Sequence, residues 1–275
     1  VRAARAEDKD AVIAFCSNTF SWGDYIPRVW DDWLNDPNGQ LLVGVVNAQP
    51  VSVMHVTIHG TMAWLEGMRV HPDFRRQGIA RVTEAEGRAW ARARGCRVAR
   101  LATSVKNLAA QAMLHLSGYS RIAQFNEWES EPMPGDLRAR IPTENDWQQL
   151  DALWHTAPMY EASRALLPDR NWHWTPLDER RWREHLRKGE VRHVANAFSI
   201  VITFDEHDWS MMSLCALVGD EDAMYTLARA ARDEAMYRGY PRLEAQIAEH
   251  PLANRALERA GFTKSGGMFI YEIEL

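Results

Sequence analysis

The sequence predicts an α/β (α+β) chain built as two tandem copies of one domain plan, with the second copy degenerate. Three observations carry that expectation. Apolar, β-prone runs alternate with stretches whose apolar residues recur at helical spacing. A polar segment rich in Pro and Gly, Glu-Ser-Glu-Pro-Met-Pro-Gly-Asp at residues 129–136, reads as a linker. Behind it the pattern restarts. Leu137-Arg138-Ala139 followed by Asp146 repeats Val1-Arg2-Ala3 followed by Asp10, and Ala253 with Gly261-Phe262 repeats Ala110 with Gly118-Tyr119. The expected division is a first domain at 1–128, a linker at 129–136 and a second domain at 137–275.

Composition narrows the function classes. With 275 residues and 46% hydrophobic content, the chain suits a well-packed globular protein. No stretch reaches the ~18 apolar residues of a membrane span, and the first residues lack the apolar run of a signal peptide, so a cytoplasmic protein without membrane attachment is expected. The net charge of -5 argues against general nucleic-acid binding. Cys16, Cys96 and Cys215 are far apart and lack metal-ligand spacing, so neither a disulfide framework nor a metal site is expected. They read as small buried hydrophobes.

In chain order, residues 1–4 read as a strand end, and Asp8 opens a helix carrying Ala11, Val12, Phe15 and Cys16. An aromatic and acidic loop at 20–27 leads to a second helix through Val29, Trp30, Trp33 and Leu34, closed by the turn chemistry of Asp36-Pro37-Asn38-Gly39. Residues 41–46 and 51–59 read as a hairpin, and 61–70 as the central strand, where Gly67 marks a bulge or a close backbone approach. The next helix shows Ile79, Val82, Ala85, Ala89, Trp90 and Ala93 on one side and Gly95 at its C-cap. A strand at 98–103 and a helix at 108–116 complete the first copy. In the second copy Trp172, His173 and Trp174 fall in a stretch that reads as helical.

The stretch between strand and helix is His71-Pro72-Asp73-Phe74-Arg75-Arg76-Gln77-Gly78. Two fixed positive charges precede a glycine and the helix start near Ile79, so side chains, backbone N–H groups and helix dipole all favour a pyrophosphate. Val70-His71-Pro72 followed by Arg75-x-x-Gly78-x-Ala80 resembles the acetyl-CoA signature of the GNAT superfamily of N-acetyltransferases. Asn107, Ala110, Gly118 and Tyr119 are similar to that family's second element. Leu114 stands where the family often has a Tyr that protonates the departing thiol, which leaves Tyr119, Ser117 and His115 as other donors. In the second copy Gly239 matches Gly95, which sets Gly219-Asp220-Glu221-Asp222 against the basic turn, and such carboxylates repel phosphate.

The resemblance implies a mixed, mostly antiparallel twisted sheet flanked by helices in each copy, and acetyl-CoA as co-substrate. It implies acetyl transfer to a primary amine of a small molecule by direct attack on the thioester, in the N-terminal copy. Glu66 would be the catalytic base. The cofactor would be held by Met68, Arg69, Val70, Arg75, Arg76, Gln77, Gly78, Ile79, Ala80, Asn107 and Ala110. Trp22, Asp24, Tyr25 and Trp30 would wall the acceptor, and carboxylates beside aromatic faces suit a cationic amine. Asp24-Tyr25-Ile26-Pro27 and Trp33-Leu34-x-x-Pro37 are also similar to histidine N-acetyltransferase-like proteins, which places amino acids among the acceptors. The second copy would complete the acceptor pocket or a dimer, in a monomer or homodimer. The alternative is a non-catalytic acetyl-CoA-binding sensor or interaction module.

Overall fold

The computed structural model describes residues 1–17, 19, 23–136, 139–170, 172–206 and 209–275, without the side chains of Arg170, Asp205, Glu206 and Trp209. Two units divide the chain. The first holds Val1–Ala102, Leu108–Arg121 and Tyr271–Leu275, the second Thr103–Asn107 and Ile122–Ile270. Each carries a mixed, mostly antiparallel sheet flanked by helices, which is the class the sequence predicts.

With each element assigned to the unit that holds most of it, the first unit runs β1 (Arg2–Ala3), α1 (Lys9–Cys16), α2 (Ile26–Leu34), β2 (Gly39–Val46), β3 (Gln49–His59), β4 (Met62–Val70), α3 (Ile79–Arg92), β5 (Val98–Ser104) and α4 (Leu108–Leu116). Its strands are ordered β1-β2-β3-β4-β5. Neighbours are antiparallel except β4 with β5. Asn47 and Ala48, at φ 47° and 65°, form a left-handed two-residue turn, so β3 begins at Gln49 rather than at 51. Alternating strand residues feed two cores. Leu41, Val43 and Val53 pack with Val12, Phe15, Cys16, Ile26, Trp30 and Trp33 from α1 and α2. Leu42, Met54, Val56, Ala63 and Leu65 pack with Ala91 of α3.

The buried side of α3 differs from its apolar pattern. Val82, Ala85 and Ala89 are exposed, whereas Thr83, Glu84, Gly87 and Ala91 are buried. A Cβ on Gly87 would lie 2.3 Å from Met54 Cε and 2.9 Å from Val56 Cγ2, so the helix approaches β3 through its smallest residue. The buried polar groups are paired. Thr83 Oγ1 lies 2.7 Å from Ser52 Oγ, and Glu84 accepts from both Arg88 and the Tyr119 hydroxyl.

The second unit contains β6 (Ser120–Ser130), α5 (Trp147–Thr156), α6 (Pro158–Ala162), β7 (Leu166–Arg170), β8 (His173–Pro176), α7 (Glu179–Arg187), β9 (Val191–Val194), β10 (Ala197–Glu206), β11 (Trp209–Val218), α8 (Glu221–Tyr237), β12 (Leu243–Ala248), α9 (Pro251–Arg259) and β13 (Thr263–Glu274). Its strands follow the order β13-β6-β12-β11-β10-β9, with β11 and β12 parallel. The stretch with Trp172, His173 and Trp174 is not helical. Trp172 turns at φ 61°, and β8 pairs antiparallel with β7, which buries His173 and Trp174.

Candidate active site in the first unit

The hairpin joining β3 to β4 turns at Gly60 and Thr61, which fixes the register from His59↔Met62 back to His55↔Glu66. There the ladder slips, between Val53 and His55. The slip lies opposite Gly67, whose φ is +69° and whose added Cβ would meet Trp33 Cζ3 at 2.5 Å. Gly67 is thus both a bulge and a close approach, as its place in the strand suggested. On the other edge, β4 pairs with β5 only through Met62↔Val98, Ala63↔Ala99 and Trp64↔Arg100, although β4 runs on to Val70. Past Trp64 that edge of β4 leaves its neighbour, and Glu66, Met68, Arg69 and Val70 lie on the released stretch.

The basic turn follows at once. Pro72–Phe74 form a short 3-10 turn, and Arg75 Nε donates to Val70 O at 3.2 Å. Arg76 and Gly78 are left-handed at φ 60° and 81°, and α3 starts at Ile79. Among the described residues, the backbone N–H groups of residues 76–81 make no hydrogen bond within the protein. The first helical bond runs from Val82 N to Gly78 O at 3.1 Å. Arg75, Arg76, Gln77 and Gly78 are exposed, with Ile79 and Ala80 half-buried behind them. Unpaired N–H groups at a helix start beside two guanidinium groups make a cradle for an anion such as pyrophosphate.

The matching place in the second unit is built oppositely. Only Gly219 and Asp220 separate β11 from α8, and Asp220 caps the helix by accepting from Ala223 N. Glu221 pairs with Arg255 and Arg259, and Asp222 with Arg259. Carboxylates already occupy that helix start.

Glu66 has a partner that the sequence reading missed. His55 Nδ1 lies 3.1 Å from Glu66 Oε1, and its other nitrogen, Nε2, lies 3.1 Å from Asp36 Oδ2, off the hydrogen-bonding direction. The imidazole is buried and stacks on Trp33 at 4.8 Å between centroids with 7° between planes. The tight register of the hairpin turn was the signal for this contact, because it sets residue 55 opposite residue 66.

The expected acceptor wall is more structural than its composition suggests. Trp22 lies outside the described residues. Trp30 is fully buried in the core. The Asp24 carboxylate, also buried, accepts from Arg69 Nε at 2.7 Å and Nη2 at 3.2 Å. Burial, the largest single influence, acts against the Arg69 charge, but the Asp24 hydrogen bonds together with the charges of Tyr25, Asp24 and Cys16 outweigh it and keep its pKa raised. Tyr25 lies 5.2 Å beneath the guanidinium, and burial pushes its phenol up. Arg69 thus neutralises Asp24, which removes the charge argument for a cationic acceptor.

On α4, Ala110 is half-buried in the first unit, while Asn107, exposed, falls in the second and donates from its backbone to Ser104 O at 2.9 Å. Leu114 faces the core at 1% exposure. Tyr119 is buried, and its hydroxyl is committed to Glu84, where burial and then that carboxylate push its pKa up. His115 is exposed in the last turn of α4. All three cysteines are buried and free, and burial raises the Cys16 and Cys215 thiols to about 12, which leaves them unreactive.

Residues 10–119 match the model of the acetyltransferase (GNAT) family. No curated protein sequence matches the chain. Among solved structures, a GCN5-related N-acetyltransferase from Sphaerobacter thermophilus is 13% identical with a TM-score of 0.70, over 99% of this chain and 94% of that one. A tandem GNAT protein from the clavulanic acid biosynthesis pathway is 16% identical with a TM-score of 0.63, over 100% of this chain and 97% of that one. A glucosamine N-acetyltransferase region of a fungal multi-domain β-N-acetylglucosaminidase is 12% identical with a TM-score of 0.71, over 99% of this chain and 38% of that one. At such identities the likeness is one of fold. The family match covers the strand, the basic turn and the helix start described above, so residues 10–119 carry a GNAT acetyltransferase domain, and the likeness in fold to a tandem GNAT protein extends over the whole length.

Proposed function

We propose that the chain is an acetyl-CoA-dependent N-acetyltransferase whose N-terminal copy, residues 1–128, moves the acetyl group to a primary amine of a small molecule, amino acids included. One observation carries the reading: the edge of β4 released beyond Trp64 presents Glu66 and runs straight into the N–H groups of residues 76–81. Those N–H groups, with the charges of Arg75 and Arg76 and with Gln77, Gly78, Ile79 and Ala80 at the helix start, would hold the pyrophosphate. The backbone of Met68, Arg69 and Val70 would pair with the pantetheine arm as an added strand. The Arg69 side chain is turned to Asp24 and contributes through its backbone alone. Asn107 and Ala110 are assigned to the cofactor by the family pattern only. Acetyl-CoA, when bound, supplies the acetyl group as a thioester.

Glu66 would take the proton of the attacking amine, directly or through a water. With Leu114 in the core, no side chain at that position donates a proton to the thiolate. A thiol of pKa about 8.5 is only ~1.5 units above neutral pH, so solvent can supply that proton at a cost of about 2 kcal/mol. The second copy, residues 137–275, holds carboxylates at its helix start and would bind no acetyl-CoA.

Release of free CoA thiol across a panel of small amines tests the activity. Glu66→Gln should lower kcat by about 100-fold while leaving acetyl-CoA affinity unchanged. The buried Leu114 and the committed Tyr119 favour a second reading, a non-catalytic acetyl-CoA-binding module. Calorimetric binding of acetyl-CoA without thiol release for any amine would establish it.

A further inference from the structure

The geometry points to His55 as a positioning residue for Glu66, seated in a slot that Asp36, Gly39 and Trp33 form around its ring. This rests on the reading of Glu66 as the base.

Contacts hold the ring on one face and at both nitrogen edges. Trp33 covers one face, stacked at 4.8 Å. A Cβ at residue 39 would lie 2.6 Å from His55 Nε2 and 2.2 Å from Asp36 Oδ2, so only glycine there leaves room for the pair. Asp36 is itself fixed, because its Oδ1 accepts from Asn38 N at 2.8 Å and its Oδ2 is left toward the ring. The turn that closes α2 therefore has a second task, which is to hold an imidazole edge. The ring's other edge then meets Glu66 Oε1.

With Glu66 ionised, as a base must be, the nitrogen facing its oxygen is the donor, so Nδ1–H donates to Oε1. Among the described residues, Glu66 Oε2 accepts no hydrogen bond from the protein. One oxygen is tied and the other is available to an amine or a water. The ionisable groups around this unit are Glu66 on β4, Asp36 after α2, Tyr25 packed edge-on against Trp33, and the Asp24–Arg69 pair beyond it. Tyr25 stays neutral because burial raises its phenol, and Asp24 and Arg69 cancel.

The test uses the isosteric logic of the two amides. An Asn side chain places its amide where Nδ1 lies, toward Glu66, and a Gln side chain reaches the place of Nε2, toward Asp36. His55→Gln should lower kcat by about tenfold or more, with the KM values for acetyl-CoA and amine within about threefold. His55→Asn should recover most of the rate.

Acetyl-CoA binding by calorimetry reports whether each variant is folded. If His55→Gln binds acetyl-CoA and keeps the wild-type rate, the inference is overturned. It is also overturned if Asn and Gln lose activity equally. Should only the Asn variant fold, it decides alone: a rate near wild type supports the inference and a tenfold loss ends it. If neither variant binds acetyl-CoA, the ring is a packing element and the inference fails. Glu66→Gln, assayed in parallel, separates the two ideas. Full activity there sinks the base reading, whereas a 100-fold loss beside indifferent His55 variants sinks only this inference.

Discussion

Gly67→Ala gives the sharpest test of the β4 bulge, because two separable penalties meet at one methyl group. At φ +69° an alanine sits in the left-handed region, which costs about 1 to 2 kcal/mol. The new Cβ would also stand 2.4 Å from Trp33 Cη2 and 3.3 Å from Ile26 Cδ1. Trp33 is buried and stacked on His55, so it has no free space to move into, and overpacking of this kind costs about 1 to 3 kcal/mol. The sum is about 2 to 5 kcal/mol. Gly95→Ala is the internal control, because residue 95 is also left-handed, at φ +85°, but an added Cβ meets nothing within 4 Å. It should show the conformational cost alone. Urea denaturation of both variants measures the difference, and with a slope of about 2 kcal/mol/M the Gly67 midpoint should fall by about 1 to 2.5 M. Because Trp33 backs His55, kcat should fall as well. If Gly67→Ala costs no more than Gly95→Ala, the account of the bulge as a packed contact with α2 is refuted.

Calorimetry should find one acetyl-CoA per chain, with Arg76→Glu weakening it at least tenfold, or about 1.4 kcal/mol; two equivalent sites would overturn the assignment of binding to the first copy. Tyr119→Phe leaves Glu84 with one buried donor fewer and should cost about 1 to 3 kcal/mol by chemical denaturation with kcat unchanged. A fall in kcat would make Tyr119 a proton donor after all. Asp24→Asn breaks a buried pair and should destabilise by about 3 kcal/mol, leaving the ranking of cationic and neutral amines as it was. A changed ranking, measured as kcat/KM, would return Asp24 to the acceptor site.

What could be read from the sequence was what chain order fixes locally. The basic turn is such a case, since Arg75, Arg76, Gly78 and the helix start are consecutive and their N–H groups need no distant residue to face one way. The hairpin register is also fixed locally, yet the sequence reading did not draw from it that His55 stands opposite Glu66. Asp36 was not legible as a third member, because its approach depends on how α2 packs and on the absence of a side chain at Gly39. Asp24 shows the same limit. Its position among aromatic residues suggested a ligand wall, but its charge is met by Arg69, 45 residues away. On α3 the apolar periodicity pointed to the wrong side, since close contact at Gly87 and paired polar groups at Thr83 and Glu84 outweighed a few exposed alanines. The stretch at Trp172 misled for another reason: a left-handed turn and a short hairpin interrupt residues whose helical spacing was incidental.

The first unit also has a timetable. Tyr271–Leu275 belong to it, and Arg100 on β5 meets Glu272 at 2.7 Å across 172 residues of chain. Leu275 N closes on Arg97 O at 2.9 Å beside it. At ribosomal speeds of about 5 to 20 residues per second, that partner emerges roughly ten to thirty seconds after Arg100. Over that interval the nascent unit has an unpaired strand edge at β5, the kind of surface that chaperones cover and that other chains can pair with. A fragment cut after residue 128 would remain in that state permanently.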